Sequence, residues 1–281
     1  MRGVFASEQR RGNAILSSIA VYFCRATYIA EKVMQTIAIT GKGGTGKTTF
    51  ASLLVKHLST NNKAILAVDA DPNSNLDMRL GLRVQQTIGD LREDLLKESF
   101  PAGIAKNELI EYQTRLALVE GDTFDLIAMG RPEGPGCYCY INNVLRDVLD
   151  RLSVNYDYVV IDNEAGMEHL SRRTTRDVDV LFIISDVTAL GITTASRIKK
   201  LSEDLNLVVG KTYLVLNEVK DSVPDSIKGQ IKQQQLDLIG AIPTDPLIEE
   251  YALEGKSFFE LPSDSAALKA VREIAERSIA P

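Results

Sequence analysis

Short apolar runs alternate with longer segments of helical spacing along most of the chain. Seven runs have the length and apolar character of buried strands; they are Ile37–Ile39, Lys63–Val68, Phe124–Met129, Tyr158–Asp162, Val180–Ser185, Thr212–Asn217 and Leu238–Ile242. Apolar residues three and four positions apart predict helices between the runs, at Thr49–Leu58, Ile88–Lys97, near Leu109, from about Tyr138 to Leu152, at Thr193–Leu205 and at Ala266–Ile279. This alternation predicts an α/β fold, a doubly wound and mostly parallel sheet flanked by helices.

Length and composition narrow the class of protein. With 281 residues, 44% of them apolar, the chain can bury one large core. The most apolar long stretch, Ala14–Ala30, contains Arg25 and is shorter than the roughly 20 residues that cross a bilayer, so we predict no membrane partner. Three cysteines are too few for a disulfide framework. We therefore expect a reducing, cytoplasmic location.

The segment before Met34 differs from the rest of the chain. Arg10 and Arg11 precede the semi-apolar run AILSSIAVYFC, as in a signal peptide, but no small-residue cleavage site follows cleanly. We expect residues 1–33 to be an extension, a non-native translation start that is disordered or loosely helical, and residues 34–281 to form one domain. The second interpretation is a genuine targeting or docking helix.

Charge is distributed unevenly between these two parts. Residues 1–33 carry five basic and two acidic side chains, so a net charge of −6 for the chain leaves −9 on the remainder. An acidic body binds DNA or anionic lipid poorly. The tail helix Ala266–Ile279 also lacks the basic face of a membrane anchor. We therefore predict no nucleic-acid partner.

The stretch Gly41–Thr48 fits G-x-x-x-x-G-K-[ST] at every fixed position, between a predicted strand and a predicted helix. Glycines let successive N–H groups point into one concavity that holds phosphate oxygens, and the helix adds its positive dipole end. Lys47 supplies a cation for the outer phosphates, and the Thr48 hydroxyl is placed to coordinate Mg²⁺. We expect ATP to contact Gly41, Lys42, Gly43, Gly44, Thr45, Gly46, Lys47, Thr48 and Thr49.

A second lysine, Lys42, directly follows the first glycine. The resulting G-K-G-G-T-G-K-T resembles the deviant Walker A loop of the nitrogenase iron protein, MinD and ParA, P-loop NTPases that act as dimers. The resemblance implies that Lys42 reaches the nucleotide of the other subunit and acts in catalysis as an arginine finger does. The alternative is a solvated loop charge.

Three aspartates close predicted strands, at the edge where doubly wound sheets bind ligands. Asp69 and Asp71 follow one strand, and their D-x-D resembles switch I of the same ATPases. The resemblance implies that Asp71 orients or activates the attacking water, that Asp69 supports the magnesium shell and that Asp71 also belongs to the magnesium site; the alternative is a turn and helix cap. Asp162 ends an apolar run, as in a Walker B motif, and would hold a magnesium-bound water. Gly166 closes a D-x-x-x-G switch II.

Two further strand ends resemble the base site of this class. Asn217 matches the asparagine that contacts adenine, and Pro243 to Asp245 match the segment that packs on the base. Asparagine, proline and aspartate also occur at strand ends for turn reasons alone. We list Asn217, Pro243 and Asp245 as ATP-binding candidates.

Cys137 and Cys139 lie where a predicted helix begins, and a helix N-terminus favours the thiolate that binds metal. Two soft ligands leave a tetrahedral site incomplete. A two-fold homodimer would complete it with two sulfurs from each subunit. The alternative is two inert, buried cysteines.

The runs GRPEGPGCYC (residues 130–139) and VVIDNEAGMEHLSRRT (residues 159–174) resemble the CooC family of carbon monoxide dehydrogenase maturation ATPases. The resemblance covers Met34 to about Ser278. It implies an ATP-hydrolysing homodimer whose paired Cys137 and Cys139 hold one Ni²⁺ or Zn²⁺ for insertion into carbon monoxide dehydrogenase or acetyl-CoA synthase. Two alternatives remain, an iron–sulfur cluster carrier or reductase-type ATPase and a positioning ATPase without metal.

Overall fold

The eight strands of the computed structural model form one sheet in the order β3-β4-β2-β5-β1-β6-β7-β8. Neighbouring strands are parallel except for the β3–β4 pair at one edge. The strands are β1 Gln35–Gly41, β2 Ile65–Ala70, β3 Leu118–Glu120, β4 Asp125–Ala128, β5 Tyr158–Asn163, β6 Asp177–Ser185, β7 Val208–Val219 and β8 Leu238–Pro243. The predicted α/β class and mostly parallel sheet are confirmed.

The structure describes residues 34–73, 75–91, 112, 114–131, 138–152, 155–165, 177–205 and 207–279, without the side chains of 138–143 and 177. The extension predicted for residues 1–33 and the short helix predicted near Leu109 lie outside these ranges. Of the helix predicted at Ile88–Lys97, residues 88–91 are described and are helical. Within the described ranges, no helix is both long enough and apolar enough to cross a bilayer.

Seven α-helices have both of their ends within the described ranges. They are α1 Lys47–Leu58, α2 Leu76–Leu80, α3 Tyr138–Leu152, α4 Ala189–Asp204, α5 Asp225–Gln233, α6 Pro246–Glu254 and α7 Ala266–Ser278. Two short 3₁₀ helices lie at Ser59–Asn61 and Phe258–Glu260. The sequence pattern missed α2, α5, α6 and strand β3, and it placed the start of α4 four residues too late.

Helices cover both faces of the sheet. On β1, the buried side chains of Ile37 and Ile39 pack in one cluster with α1 and α7, while Ala38 between them packs in another with α4 and α5. A third cluster joins β2, β4 and β5 to α3. Central strands buried on both faces read as continuous apolar runs, which is why the pattern detected them. The carboxyl ends of β1, β2, β5 and β7 lie at one edge of this sheet.

Candidate functional site

Two glycines, one at the end of β1 and one in the loop that follows it, occupy positions where a side chain would be crowded. A Cβ at Gly41 would lie 2.2 Å from the Ile184 carbonyl oxygen of β6. Gly46 has a left-handed φ of +88°, and a Cβ there would lie 2.2 Å from Asn217 Nδ2. The Asn217 amide nitrogen in turn donates to the Thr45 carbonyl at 2.9 Å. The loop is therefore held against β6 and β7.

The N-terminus of α1 faces a cleft of about 500 Å³. The helix begins at Lys47 behind the glycine cap Gly46, and its first turn holds no acidic residue. Its first N–H groups, together with its positive dipole end, therefore favour an anion. The cleft is lined by Gly43, Gly44, Gly46, Lys47, Thr48, Thr49, Asp71, Asn75, Met78, Arg79, Ala165 and Glu218. Five of these residues belong to the predicted phosphate loop Gly41–Thr48, and Thr49 directly follows it.

Lys47 supplies a buried cation to the cleft. Its side chain is largely buried, with 8% of the residue exposed, and its Nζ lies 3.4 Å from the Lys42 carbonyl oxygen. Burial lowers the pKa of Lys47, while the negative charges of Asp162, Asp71 and Glu164 raise it. A phosphate group offers this ammonium a charged acceptor in place of a main-chain carbonyl.

Asp69 and Asp162 are direct neighbours on the parallel strands β2 and β5. Each is 1% exposed. Burial raises the pKa of Asp69 to about 6, against the hydrogen bonds donated by the Leu76 and Asp71 N–H groups. Burial also raises the pKa of Asp162 to about 7, against a hydrogen bond from Thr48 and the charge of Lys47. Two buried carboxylates beside one threonine hydroxyl form the donor set that Mg²⁺ prefers.

The oxygens of these two aspartates differ in what they contact. Asp69 Oδ1 accepts from Asp71 N at 3.1 Å, and its Oδ2 accepts from Leu76 N at 3.0 Å. Asp162 Oδ1 is buried and has no hydrogen-bond partner among the described residues. That atom fits an acceptor for a water bound to magnesium. Thr48 and Asp162 therefore fit the ion, and Asp69 shapes the loop beside it.

Lys42 lies apart from the cleft. Its side chain is 40% exposed, and its Nζ lies 3.5 Å from Asp186 Oδ2 at the end of β6. Asp186 is itself oriented by a hydrogen bond from the Thr188 hydroxyl at 2.6 Å. Within one subunit the Lys42 carbonyl therefore contacts Lys47, but the Lys42 ammonium is directed to Asp186 and not to the cleft lined by Lys47, Thr48 and Asp71.

A second cavity of about 330 Å³ adjoins the cleft, and Thr49 and Glu218 line both. Its wall includes Asn217, Pro243 and Asp245, so the three candidates for base binding meet at one place. The Asp245 carboxylate caps two helices, because it accepts from Leu247 N at 3.0 Å, from Ala267 N at 3.0 Å and from the Ser265 hydroxyl at 2.6 Å. The cavity fits the size of a nucleobase beside the phosphate loop.

Other predicted residues fall at or beyond the limits of the described ranges. Cys137 and Gly166 lie outside them. Cys139 is in the first turn of α3, as the helical spacing predicted. In the part of the chain that the structure describes, no three metal-binding side chains cluster.

Sequence reasoning did not single out five of the residues that line the cleft, which are Asn75, Met78, Arg79, Ala165 and Glu218. Met78 and Arg79 lie in the short helix α2, and Glu218 lies at the end of β7 with a left-handed φ of 55°. A non-glycine residue in that conformation is uncommon. The bulge between β7 and β8 next to Glu218 leaves no mark in the sequence.

The glycine-rich loop after β1, the N-terminus of α1 and the aspartates at the ends of β2 and β5 together define a nucleotide-binding protein of the P-loop class. Residues 34–212 match the family described as AAA domain. An uncharacterised ATP-binding protein of Methanocaldococcus jannaschii is 47% identical over 247 residues, which cover 86% of this chain and 98% of the relative. The chain therefore belongs to the AAA-domain family of P-loop ATPases.

A further relative and two solved structures complete the comparison. The carbon monoxide dehydrogenase accessory protein CooC of Rhodospirillum rubrum is 31% identical over 238 residues, covering 80% of this chain and 89% of that protein. MinD of Pyrococcus horikoshii, solved with Mg-ADP, superposes with a TM-score of 0.63 at 23% identity, covering 87% of this chain and 96% of that chain. Apo McdA of Cyanothece gives 0.66 at 23% identity, covering 88% and 100%. These two structures share the fold.

Proposed function

We propose that this protein is a cytoplasmic, ATP-hydrolysing metallochaperone that works as a homodimer and assists nickel insertion into carbon monoxide dehydrogenase or acetyl-CoA synthase. The observation that carries the proposal is the 31% identity to CooC over most of both chains. The cysteine pair Cys137-x-Cys139 after Gly130 adds the metal-binding chemistry that the resemblance implies.

The cleft supports ATP hydrolysis by positioning and electrostatics. The N–H groups of the loop and Lys47 bind the phosphates, and Thr48 and Asp162 would hold Mg²⁺, which neutralises phosphate charge when bound. Asp71, at the wall of the cleft, would orient a water for in-line attack on the γ-phosphorus. The bond to the β–γ bridging oxygen breaks, ADP leaves, and the water's proton passes to the phosphate product or to solvent.

The exposed position of Lys42 supports a shared active site. In one subunit its ammonium contacts Asp186, and among the described residues that line the cleft Lys47 is the buried cation. An approaching second subunit would bring its own Lys42 to the nucleotide. Because the cation arrives only in the dimer, hydrolysis would depend on association.

The metal ion would be cargo held between subunits. Cys137 and Cys139 of each chain would supply two thiolates, and four thiolates satisfy a tetrahedral ion. ATP binding would close the dimer, and hydrolysis would open it and free the ion for the client enzyme. Dimer formation would thereby couple ATP hydrolysis to the binding and release of the metal ion.

Anaerobic purification from cells grown with nickel tests the proposal. We expect a colourless protein that hydrolyses ATP and binds Ni²⁺ or Zn²⁺, and whose addition with ATP raises the activity of nickel-depleted carbon monoxide dehydrogenase. A brown protein containing iron and sulfide would contradict metallochaperone function and favour an iron–sulfur carrier. A protein with Lys47→Ala is the matched control without nucleotide binding.

A further inference from the structure

Two hydrogen bonds join the residues that follow β4 to the end of β2 and to the loop after it. Met129 N donates to the Asp69 carbonyl at 2.8 Å. Two residues later, Arg131 Nη2 donates to Asn73 Oδ1 at 2.6 Å. Gly130 makes this approach possible, since its φ is +66° and a Cβ there would lie 2.1 Å from Thr87 Oγ1. The Arg131 guanidinium is thereby directed toward the loop that carries Asp71.

Asn73 links Arg131 to Asp71 by hydrogen bonds. Its backbone N–H and its side-chain amide both donate to Asp71 Oδ1, at 2.8 Å and 3.0 Å. The Asn73 side chain thus accepts from a cation with its oxygen and donates to a carboxylate with its nitrogen. Hydrogen bonds to ionised partners are the stronger ones, and a chain of them polarises its members. The arrangement fixes the rotation of the Asp71 carboxylate at the wall of the phosphate cleft.

We infer that Arg131 is a positioning residue for hydrolysis, acting through Asn73 on the orientation of Asp71. The inference rests on the proposed ATPase function, in which Asp71 orients the attacking water. A small misplacement of such a group costs a large factor in rate because the reacting atoms need a near-attack geometry. Arg131 is not among the residues that line the cleft, so its effect is expected on turnover and not on ATP affinity.

If Arg131 only stabilised the fold, its loss would lower the melting temperature together with turnover. Asn73 and Arg131 are both exposed, and exposed contacts contribute little to folding stability. Loss of the pair should therefore leave the melting temperature almost unchanged. A large loss of turnover in a protein that melts normally indicates positioning.

The experiment compares Arg131→Ala, Arg131→Lys, Asn73→Ala and the double variant Arg131→Ala/Asn73→Ala with the parent full-length chain. We expect Arg131→Ala to lower kcat about tenfold with KM for ATP changed less than about threefold. Arg131→Lys should recover part of kcat, because an ammonium can also donate to Asn73 Oδ1. The double variant should lose no more than Asn73→Ala, since Arg131 acts only through Asn73. Arg272→Ala, an exposed arginine in α7, is the matched control.

A second measurement tests the role of Arg131 by binding alone and does not require that ATP is hydrolysed. Aluminium fluoride with Mg-ADP mimics the transferring phosphoryl group, and Arg131→Ala should weaken retention of this complex while Mg-ADP alone binds as in the parent. Parental kcat in Arg131→Ala, or a double variant that loses the product of both single effects, would overturn the inference. A parent chain without hydrolysis would contradict the proposed function instead, and the aluminium fluoride measurement would still decide the role of Arg131.

Discussion

Asp69 and Asp162 face each other across the β2–β5 pair, buried and both with a raised pKa. A carboxyl whose pKa is raised by folding binds a proton more tightly in the folded state, so stability falls as pH rises from the unfolded value, 3.8, to the folded one. For Asp162 that window runs to about 7. Above it, the folded protein without Mg²⁺ holds a buried negative charge that destabilises it.

Asp162→Asn is therefore expected to raise stability while removing function. Without nucleotide and Mg²⁺ at pH 8, the variant should melt about 4 °C or more above the parent, since about 1 kcal/mol moves Tm by 2–4 °C in a chain of this size. The gain should shrink toward pH 5, where the parent carboxyl is protonated. Differential scanning calorimetry at both pH values measures it. Asp221→Asn, at an exposed aspartate, should show no such gain, and a variant melting below the parent at pH 8 would contradict the burial argument.

The two lysines of the loop are expected to separate binding from hydrolysis. Lys47→Ala should lose ATP binding, because Lys47 is the buried cation of the cleft. Lys42→Ala should bind ATP within about threefold of the parent and lose about 10³ in rate, the size of an arginine-finger effect. Calorimetric titration with a non-hydrolysable analogue and a phosphate-release assay measure the two quantities. Unchanged turnover in Lys42→Ala would make Lys42 a solvated loop charge.

Asn217 is expected to matter through the loop as well as through the base. Asn217→Ala removes the bond to the Thr45 carbonyl and should lower ATP affinity about tenfold, as expected for about 1.4 kcal/mol. Asn217→Asp should bind more weakly still, because a carboxylate oxygen would oppose the Thr45 oxygen. Asn61→Ala, in the exposed 3₁₀ turn after α1, is the control. Equal ATP affinity of Asn217→Asp and the parent would show that the hydrogen bond from Asn217 to the Thr45 carbonyl does not shape the loop.

Asp245 is expected to act mainly on stability. Burial alone would raise its pKa, but hydrogen bonds from Ser265, Ala267 and Leu247 lower it below the usual value. A lowered pKa contributes stability above the unfolded value that is lost as pH falls. Asp245→Asn should cost about 1–3 kcal/mol at pH 7, with the difference from the parent narrowing below about pH 4. Urea unfolding measures it, and ATP affinity should fall less than in Asn217→Ala.

Local chemistry made the phosphate site readable from the sequence. Gly41 to Thr48 combine loop, cation and helix start within eight residues, and Asp69 and Asp162 close apolar runs that the buried sheet requires. Long-range contacts left no such signal. Arg131 and Asn73 are 58 positions apart, and only the adjacency of β2 and β4 brings them together.

The helix α6 and the start of α4 are marked in the sequence by N-cap residues and not by apolar spacing. Asp245 and Pro246 are an N-cap and a first helical residue, which together mark the start of α6. Thr188 caps α4 through Gly191 N, so the helix begins four residues before the first apolar repeat that indicated it. Strand β3 has three residues and is too short for its alternation to be recognised.

The central claim is that two subunits share one nucleotide-dependent metal site. The most direct test measures the mass of the native assembly together with the number of metal ions that it holds. Native mass spectrometry with Ni²⁺, with and without ATP, is applied to the parent, to Cys137→Ser and to the matched control Cys24→Ser. We expect one ion per two chains for the parent and for Cys24→Ser with ATP, and an ATP-bound dimer without metal for Cys137→Ser. A parent chain that stays monomeric with ATP, hydrolyses it at full rate and still binds the ion would contradict the central claim.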